Sequence, residues 1–180
     1  MKPIVTIPNE VLTRTAKPVV NFDKKLHTLI KEMAAALRAT KNPKGVGLAA
    51  PQIGVSLQVF ITRPTGASPI RAFINPVIVS HTDPKVEKEK KDARLEGCLS
   101  IPGIWGNVSR APSLTIHFHD ELGESRTENI NGFHATIIQH ETDHLHGVLF
   151  TQRVLEGKNI LYRTTYDKEG KEVLEEITLK

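Results

Sequence analysis

Residues 140–144 read His-Glu-Thr-Asp-His and form the pattern H-E-x-x-H. They fall within residues 133–145, a stretch that predicts a helix ended by Gly147. Side chains four residues apart lie on one face of a helix, so both imidazoles can reach the same metal ion. Glu141, next to the first histidine, can then hydrogen-bond a water bound to that ion. The stretch therefore predicts a helix that carries a metal site.

The rest of the sequence predicts one further helix and several strands. Apolar residues recur every three or four positions over residues 22–39, which predicts an N-terminal amphipathic helix with Asn21 or Asp23 as its cap. Alternating runs predict strands at 57–62, 73–80, 114–119 and 125–130, and residues 4–7 are a short β-branched run. The tail at 160–166 and 172–179 predicts a hairpin, and its part at 173–179 is also compatible with a helix. These elements do not alternate as βαβ units. We therefore expect an α+β fold with antiparallel or mixed β-sheets packed around a central H-E-x-x-H helix.

Length and composition indicate one soluble domain. The chain has 180 residues, of which 39% are hydrophobic and 24% charged, enough for a single catalytic domain over residues 1–180. The single cysteine excludes an internal disulfide, and no long apolar run predicts a membrane span. The N-terminus lacks the apolar run of a secretory signal, so we expect a cytoplasmic protein. A net charge of +4 does not indicate nucleic-acid binding, and the mixed charges at 85–94 predict a solvated strand or loop.

A catalytic zinc-type site needs a third protein ligand besides two histidines. In the longer pattern H-E-x-x-H-x-x-G-x-x-H, Gly147 is in place, but Phe150 stands where the third histidine would be. A downstream carboxylate, Glu156 or Glu169, is one remaining candidate. The other is Cys98, because a thiolate and two imidazoles form a sound tetrahedral set with one open position. The residues alone leave both candidates open. They are equally compatible with Cys98 as a buried residue that contributes only to packing.

Three segments together resemble the motifs of the peptide deformylases. They are Gly-Val-Gly-Leu-Ala-Ala-Pro-Gln at 45–52, Glu-Gly-Cys-Leu-Ser at 96–100 and Gln-His-Glu-Thr-Asp-His-Leu at 139–145. They occur in the order typical of that family, and the resemblance extends over residues 3–155 of the chain. The tail at 156–180 resembles nothing in the family, so we expect a C-terminal extension whose structure the sequence leaves open.

The resemblance implies an enzyme that removes the N-formyl group from the formyl-methionine of newly synthesised proteins and releases formate. It implies that Cys98, His140 and His144 bind the metal, and that Glu141 is the catalytic carboxylate. It implies Fe²⁺ as the physiological ion, one per chain, with Zn²⁺, Ni²⁺ or Co²⁺ able to substitute for it.

The chemistry of a formamide accounts for these roles. The formyl carbon is a poor electrophile, so a divalent ion would activate a bound water as the nucleophile and polarise the formyl oxygen. Glu141 would take the proton of this water as general base and deliver it to the leaving amine as general acid. By the same resemblance, Gln52 and the backbone N–H of Leu99 would donate hydrogen bonds to the oxyanion.

A deformylase must bind its substrate mainly through the peptide backbone. Glycines without a Cβ let a second backbone approach closely, so an extended peptide can pair as an added strand whatever its sequence. An apolar pocket would take the methionine, although its larger residues could equally serve the core. The candidate substrate-binding residues are Gly45, Val46, Gly47, Gly97, Phe133 and Ile137.

We expect N-formylmethionyl nascent peptides as partners, and neither a membrane nor a specific nucleic acid. Contact with the ribosome is a hypothesis, because the family acts on emerging chains and the basic excess is compatible with it. Thr136 and Gln152 depart from the residues usual in the family, which leaves the exact substrate preference open. Arg110 is a candidate ion-pair partner for Glu96 and for Asp143.

Two other functions compete with this interpretation. One is a zinc endopeptidase whose ligands are His140, His144 and a downstream glutamate. The other is a non-catalytic, metal-stabilised module that binds nascent chains or ribosomes. The presence of Glu141 and Gln52 beside a full set of ligands argues against the second function.

We expect Cys98→Ala to lose the bound ion, because two imidazoles alone make an incomplete site. The metal content of the purified variant, measured beside that of the parent protein, tests this expectation. A full equivalent of metal in the variant would favour the endopeptidase instead.

Overall fold

The computed structural model describes residues 2–41, 43–83 and 95–178. The solvated strand or loop predicted at 85–94 lies outside these described residues. Within them, no helix combines the length and the apolar character needed to cross a membrane.

Helices and strands follow one another without βαβ alternation. The α-helices of the described chain are α1 (Lys24–Ala39), α2 (Gly132–Leu145) and α3 (Phe150–Glu156). Its strands are β1 (Gly47–Ala49), β2 (Val59–Thr62), β3 (Arg71–His81), β4 (Glu96–Cys98), β5 (Ile101–Gly106), β6 (Ser113–His119), β7 (Ser125–Asn131), β8 (Leu161–Tyr166) and β9 (Glu172–Glu176). Short 3₁₀ turns lie at Glu10–Thr13 and Ala50–Ile53.

The strands form two sheets. The larger sheet has the order β1-β2-β3-β6-β7, and the smaller has the order β4-β5-β8-β9. Neighbouring strands in both sheets run antiparallel. The α+β class with antiparallel sheets is therefore confirmed. Strand β1 is an edge of the larger sheet and β4 is an edge of the smaller one.

Helix α1 covers one part of the larger sheet. The carboxylate of Asp23 accepts hydrogen bonds from two backbone N–H groups of the first turn, at 2.9 and 3.1 Å, and such a cap contributes about 1 kcal/mol. The helix ends at Ala39, where the hydroxyl of Thr40 donates to the carbonyl of Leu37 at 2.7 Å. One face of the helix is buried, and its residues are Leu26, Leu29, Ile30, Met33, Ala36 and Leu37.

Helix α2 lies between the two sheets. Ala135, Ile138 and Leu145 pack in one apolar cluster with Phe60 and Phe73 of the larger sheet. His140 and His144 face strand β4 of the smaller sheet, where they contact Glu96 and Cys98. The third histidine of the helix, His134, bonds Thr62 of the larger sheet instead. The helix is thus anchored by its apolar side, and its chemically active side meets the second sheet.

The β-branched run at 4–7 does not form a strand. The N–H of Val5 donates to the carbonyl of Gln52 at 2.9 Å, and the N–H of Ile7 donates to the carbonyl of Ser100 at 3.1 Å. A ladder requires successive pairs with one partner strand, and here the two amides bond to different segments. The N-terminal segment instead ties together two loops that meet at the candidate site.

Strands β4 and β5 and helix α3 were not predicted, because glycines interrupt the first two and the helix is short. Glycine weakens a strand by itself but admits a close neighbour. A Cβ on Gly106 would lie 2.6 Å from a methyl group of Val154 on α3. Packing between the smaller sheet and α3 therefore stabilises strands that local propensity does not favour.

The hairpin predicted in the tail is present, and its second strand ends at Glu176. Strands β8 and β9 pair on either side of a turn in which Gly170 adopts a φ of +76°. Strand β8 also pairs with β5, with Trp105 opposite Tyr162. The C-terminal extension is therefore an integral part of the smaller sheet.

We expect Gly147→Ala to lower the free energy of unfolding by roughly 1–3 kcal/mol more than Gly170→Ala. Both glycines have positive φ, at +72° and +76°. Both variants therefore incur the energetic cost of a left-handed backbone conformation at a residue with a Cβ. A Cβ on Gly147 would also lie 2.6 Å from the backbone carbon of Thr13, whereas one on Gly170 would meet nothing within 4 Å. Urea unfolding of the metal-free variants measures the difference, and equal losses would contradict the close contact.

Candidate metal centre

A thiol and two imidazoles converge from separate parts of the chain. One potential ligand atom each from Cys98, His140 and His144 lies within 4.8 Å of the other two. The sulfur of Cys98 is 3.2 Å from Nε2 of His144, and the two imidazole rings have centroids 5.1 Å apart. Among the described residues this is the sole group of such side chains close enough to hold an ion.

The two elements that carry these residues explain the convergence. One helical turn of α2 separates His140 from His144, so their rings lie on the same side. Cys98 ends strand β4, where the register with β5 shifts and places it opposite Ile101. The chain then turns back, so that the N–H of Ser100 points at the sulfur at 3.4 Å.

The donor set fits a first-row divalent ion. Thiolate and imidazole suit zinc, iron, nickel and cobalt, and three protein ligands leave one position open for chemistry. Buried side-chain atoms without a hydrogen-bond partner include Oε2 of Glu141 and Nδ1 of His144. Glu156, one carboxylate considered as the third ligand, instead pairs with Arg153 at 3.1 Å. Among the described residues, the thiol and not a downstream glutamate lies close enough to the two imidazoles to share an ion with them.

A chain of buried charges orients the first imidazole. Nδ1 of His140 donates to Oε2 of Glu96 at 3.1 Å, which leaves its other ring nitrogen for a metal. Arg110 donates two parallel hydrogen bonds to Glu96, at 2.9 and 3.0 Å. Burial would raise the pKa of the Glu96 carboxyl, but the hydrogen bonds from His140 and Arg110 outweigh it and lower this pKa to about 2. Glu96 is therefore an ionised acceptor for the imidazole.

The same arginine links the strand to the helices. Arg110 donates to Asp143 at 2.7 Å, and Asp143 also accepts from Arg153 of α3 at 2.8 Å. The side chain of Gln139 bonds both the N–H and the carbonyl of Ala111, at 3.0 and 2.9 Å. The loop that carries Arg110 is thus fixed to α2 from two sides.

Gln52 lies against the sulfur. Its Oε1 accepts from the N–H of Ala49 at 2.8 Å, which fixes the amide within its own 3₁₀ turn. Its Nε2 then points at Sγ of Cys98 at 3.4 Å and at the hydroxyl of Ser100 at 3.3 Å. Only 1% of the residue is exposed. The side-chain amide is therefore a fixed donor directed at the metal centre.

Glu141 projects onto the backbone of β1. A Cβ on Gly47 would lie 2.3 Å from Oε1 of Glu141, so only glycine leaves room for the carboxylate there. Burial raises the pKa of the Glu141 carboxyl to about 7. The group is thus a desolvated carboxyl beside the ligands, with one oxygen unpartnered.

A cleft of about 510 Å³ opens over the centre. Most of the residues that the sequence singled out line this cleft, and they are Gly45, Val46, Gly47, Gln52, Gly97, Cys98, Leu99, Phe133, Ile137, His140 and Glu141. His144 lies beneath it and is 1% exposed. Sequence reasoning missed Trp105 and Asn159, which also line the cleft. The only available signal was that Trp105 is the single tryptophan of the chain.

Known proteins are similar to this chain over most of its length. The model of the Polypeptide deformylase family matches residues 1–159. Peptide deformylase 1 of Bacillus cereus is 43% identical over 151 residues, which are 84% of this chain and 90% of that protein. The crystal structure of peptide deformylase from Thermotoga maritima has a TM-score of 0.74 at 34% identity, covering 86% of this chain and 97% of that one. A peptide deformylase from Synechococcus elongatus, in complex with actinonin, has a TM-score of 0.74 at 33% identity and covers 85% and 78%.

We expect Arg110→Ala to lower the free energy of unfolding by about 3–5 kcal/mol, because it leaves the buried carboxylate of Glu96 without its guanidinium partner and leaves Asp143 with Arg153 alone. The side chains of Arg110 and Glu96 are 9% and 10% exposed. Arg126→Ala is the matched control, since its pair with Asp120 lies at the surface and is worth at most about 1 kcal/mol. Urea unfolding of both variants without metal measures the two losses, and similar values would contradict the role of Arg110.

Proposed function

Because this chain belongs to the polypeptide deformylase family, we propose that it hydrolyses the N-formyl group from the formyl-methionine of newly synthesised proteins. The observation that carries the proposal is the convergence of Cys98, His140 and His144 beside a buried carboxyl and a buried amide. The overall reaction adds water across the formyl C–N bond and releases formate and a free α-amine.

Cys98, His140 and His144 would hold the ion. We propose Fe²⁺, one per chain, with Zn²⁺, Ni²⁺ or Co²⁺ able to substitute, because this donor set accepts all four. When bound, such an ion lowers the pKa of a coordinated water and polarises a carbonyl oxygen. The hydrogen bond from His140 to Glu96 supports its part in this set, because it orients the ring and makes the free nitrogen a better ligand.

Glu141 transfers the proton. Its Oε2 has no hydrogen-bond partner, and the residue lines the cleft. As water attacks the formyl carbon, Glu141 accepts a proton from it, and it then donates that proton to the departing amine nitrogen. The packing of the carboxylate against Gly47 restricts it to one position, which such a transfer at hydrogen-bond distance requires.

Gln52 and the backbone N–H of Leu99 stabilise the developing oxyanion. The contact of Gln52 Nε2 with the Ser100 hydroxyl is long, at 3.3 Å, and the sulfur that it meets at 3.4 Å is a weak acceptor. A stronger acceptor can therefore compete for its protons. Leu99 follows Cys98 directly and lines the cleft. Both donors are fixed before substrate arrives, and fixed donors act most strongly on charge that develops in the transition state.

The cleft receives an extended peptide between two sheet edges. Strand β1 and the segment before it supply Gly45, Val46 and Gly47, and strand β4 supplies Gly97. Each of these strands is the edge of its sheet, so backbone groups are available to a peptide of any sequence. The methionine side chain occupies the apolar part of the cleft beside Phe133 and Ile137 on α2.

The proposal also covers where in the cell the protein acts. Formylated nascent chains arise where translation takes place, so we propose the cytoplasm as the location. Contact with the ribosome belongs to the same proposal, because the substrate emerges there and the net charge of +4 favours an anionic surface.

We expect Glu141→Gln to lower kcat for formate release by roughly 10²- to 10⁴-fold, the usual contribution of a general acid–base. The assay uses a formyl-methionyl peptide and anaerobically purified, metal-loaded protein. Metal content should stay unchanged, because Glu141 is not a ligand. Glu121→Gln, at an exposed loop, serves as the control and should keep full activity. If the parent protein releases no formate under these conditions, the proposed function is wrong.

A further inference from the structure

Trp105 forms a wall of the cleft beside the thiol. It pairs with Gly97 across strands β4 and β5. A Cβ on Gly97 would lie 2.7 Å from two ring carbons of the indole. The ring thus covers the backbone of the residue that precedes Cys98. A glycine is required there so that the indole can lie this close.

The C-terminal hairpin holds this ring in place. The indole N–H of Trp105 donates to the hydroxyl of Thr164 on β8 at 2.9 Å. Just before the hairpin, the side-chain amide of Asn159 at the cleft rim donates to the carbonyl of Asn107 at 3.1 Å. Strands β8 and β9 lie beyond residues 1–159, which the family model matches. This part of the cleft therefore depends on a segment outside the matched region.

An apolar row continues from the ring across the smaller sheet. Directly paired residues of antiparallel strands project to the same face, so Trp105 shares a face with its partner Tyr162. Thr164, two residues along β8, lies on that face with its own partner Leu174, which is 49% exposed. We call this surface the hairpin platform, and its residues are Trp105, Tyr162, Thr164 and Leu174.

The part of the opposite face that lies against α3 is buried. Ile104 and Leu161 pack there with Val154 of α3. An antiparallel sheet with one face on the core normally presents polar side chains on the other. Two aromatic rings and a leucine lie on the outer face beside Glu176, which is the partner of Tyr162 across β8 and β9. This apolar share of the face indicates a surface that a partner covers.

We propose that the hairpin platform binds an apolar side chain of the formylated peptide downstream of its methionine. The inference rests on the proposed function, because a formyl group at the metal centre fixes the peptide N-terminus at the inner end of the cleft. The following residues must then leave past the rim, where Trp105 connects the cleft with the platform.

The chemistry of the platform determines what it selects. Pairing with the sheet edges is indifferent to sequence, whereas an indole and a leucine gain free energy only when apolar surface covers them. Among peptides that share formyl-methionine, the enzyme therefore prefers those with apolar residues at the third and fourth positions.

Fluorescence provides a test that does not depend on turnover. Trp105 is the one tryptophan of the chain, so its emission reports directly on the platform. Metal-loaded Glu141→Gln protein, which keeps its metal and turns over slowly, is titrated with formyl-Met-Ala-Leu-Leu amide and with formyl-Met-Ala-Ser-Ser amide. We expect the leucine peptide to shift the emission with a Kd roughly tenfold lower, as for one aromatic anchor of an interface. Equal Kd values for the two peptides would overturn the proposal.

Kinetics of the metal-loaded protein provide the second test. Leu174→Ser should raise KM for the leucine peptide several-fold and should leave kcat and the serine peptide unchanged. Trp105→Ala should also raise KM for the leucine peptide. Val173→Ser is the matched control, because Val173 is 39% exposed on the same strand but on the opposite face. If Leu174→Ser and Val173→Ser have the same KM for the leucine peptide, the platform does not bind the peptide. Leu174 lies at the surface, so this arm remains informative if Trp105→Ala does not fold.

The outcomes separate this inference from the function on which it rests. Formate release from both peptides at equal kcat/KM would overturn the platform and leave the deformylase intact. No formate from either peptide would overturn the deformylase. If the emission changes with protein concentration when no peptide is present, a second copy of this chain covers the platform. That result would overturn the proposal.

Discussion

A buried guanidinium joins the strand that carries the thiol to the helix that carries the imidazoles. Arg110 donates two hydrogen bonds to Glu96 on β4 and a third to Asp143 on α2. Such charge-assisted bonds are directional, and they are strong where water is excluded. Taking three charged groups out of water offsets much of the attraction between them. The effect of this network is therefore chiefly orientation, because it fixes the carboxylate that orients His140.

Two glycines, which have no Cβ, shape the site as much as its large side chains do. Gly47 leaves room for the carboxylate of Glu141, and Gly97 leaves room for the indole of Trp105. Both glycines lie on edge strands, β1 and β4. The absence of a Cβ at both positions therefore lets a large side chain from another element pack directly against the backbone of an edge strand.

The periodic elements were predicted well, and the aperiodic ones were not. The runs at 57–62, 73–80, 114–119 and 125–130 correspond to β2, β3, β6 and β7, because their alternation reflects one buried face. The run at 4–7 has the same β-branched character but finds no partner strand, since its amides bond to separate loops. Strands β4 and β5, with Gly97, Gly103 and Gly106, form only because Val154 and neighbouring residues pack against them. No local pattern contains that information.

The sequence by itself determined that His140 and His144 share a face, because a four-residue spacing on a helix has that geometry whatever surrounds it. Resemblance to a family then singled out Cys98, where local chemistry had left a downstream glutamate open and had left Cys98 equally open to a purely structural role. Only the tertiary structure brought the sulfur within 3.2 Å of His144 and separated Glu156 from the centre by pairing it with Arg153. It also decided that the tail joins the sheet of the cleft, through the bond from Trp105 to Thr164. Contacts between residues distant in the chain depend on how the sheets and helices pack together, and no spacing along the sequence encodes that packing.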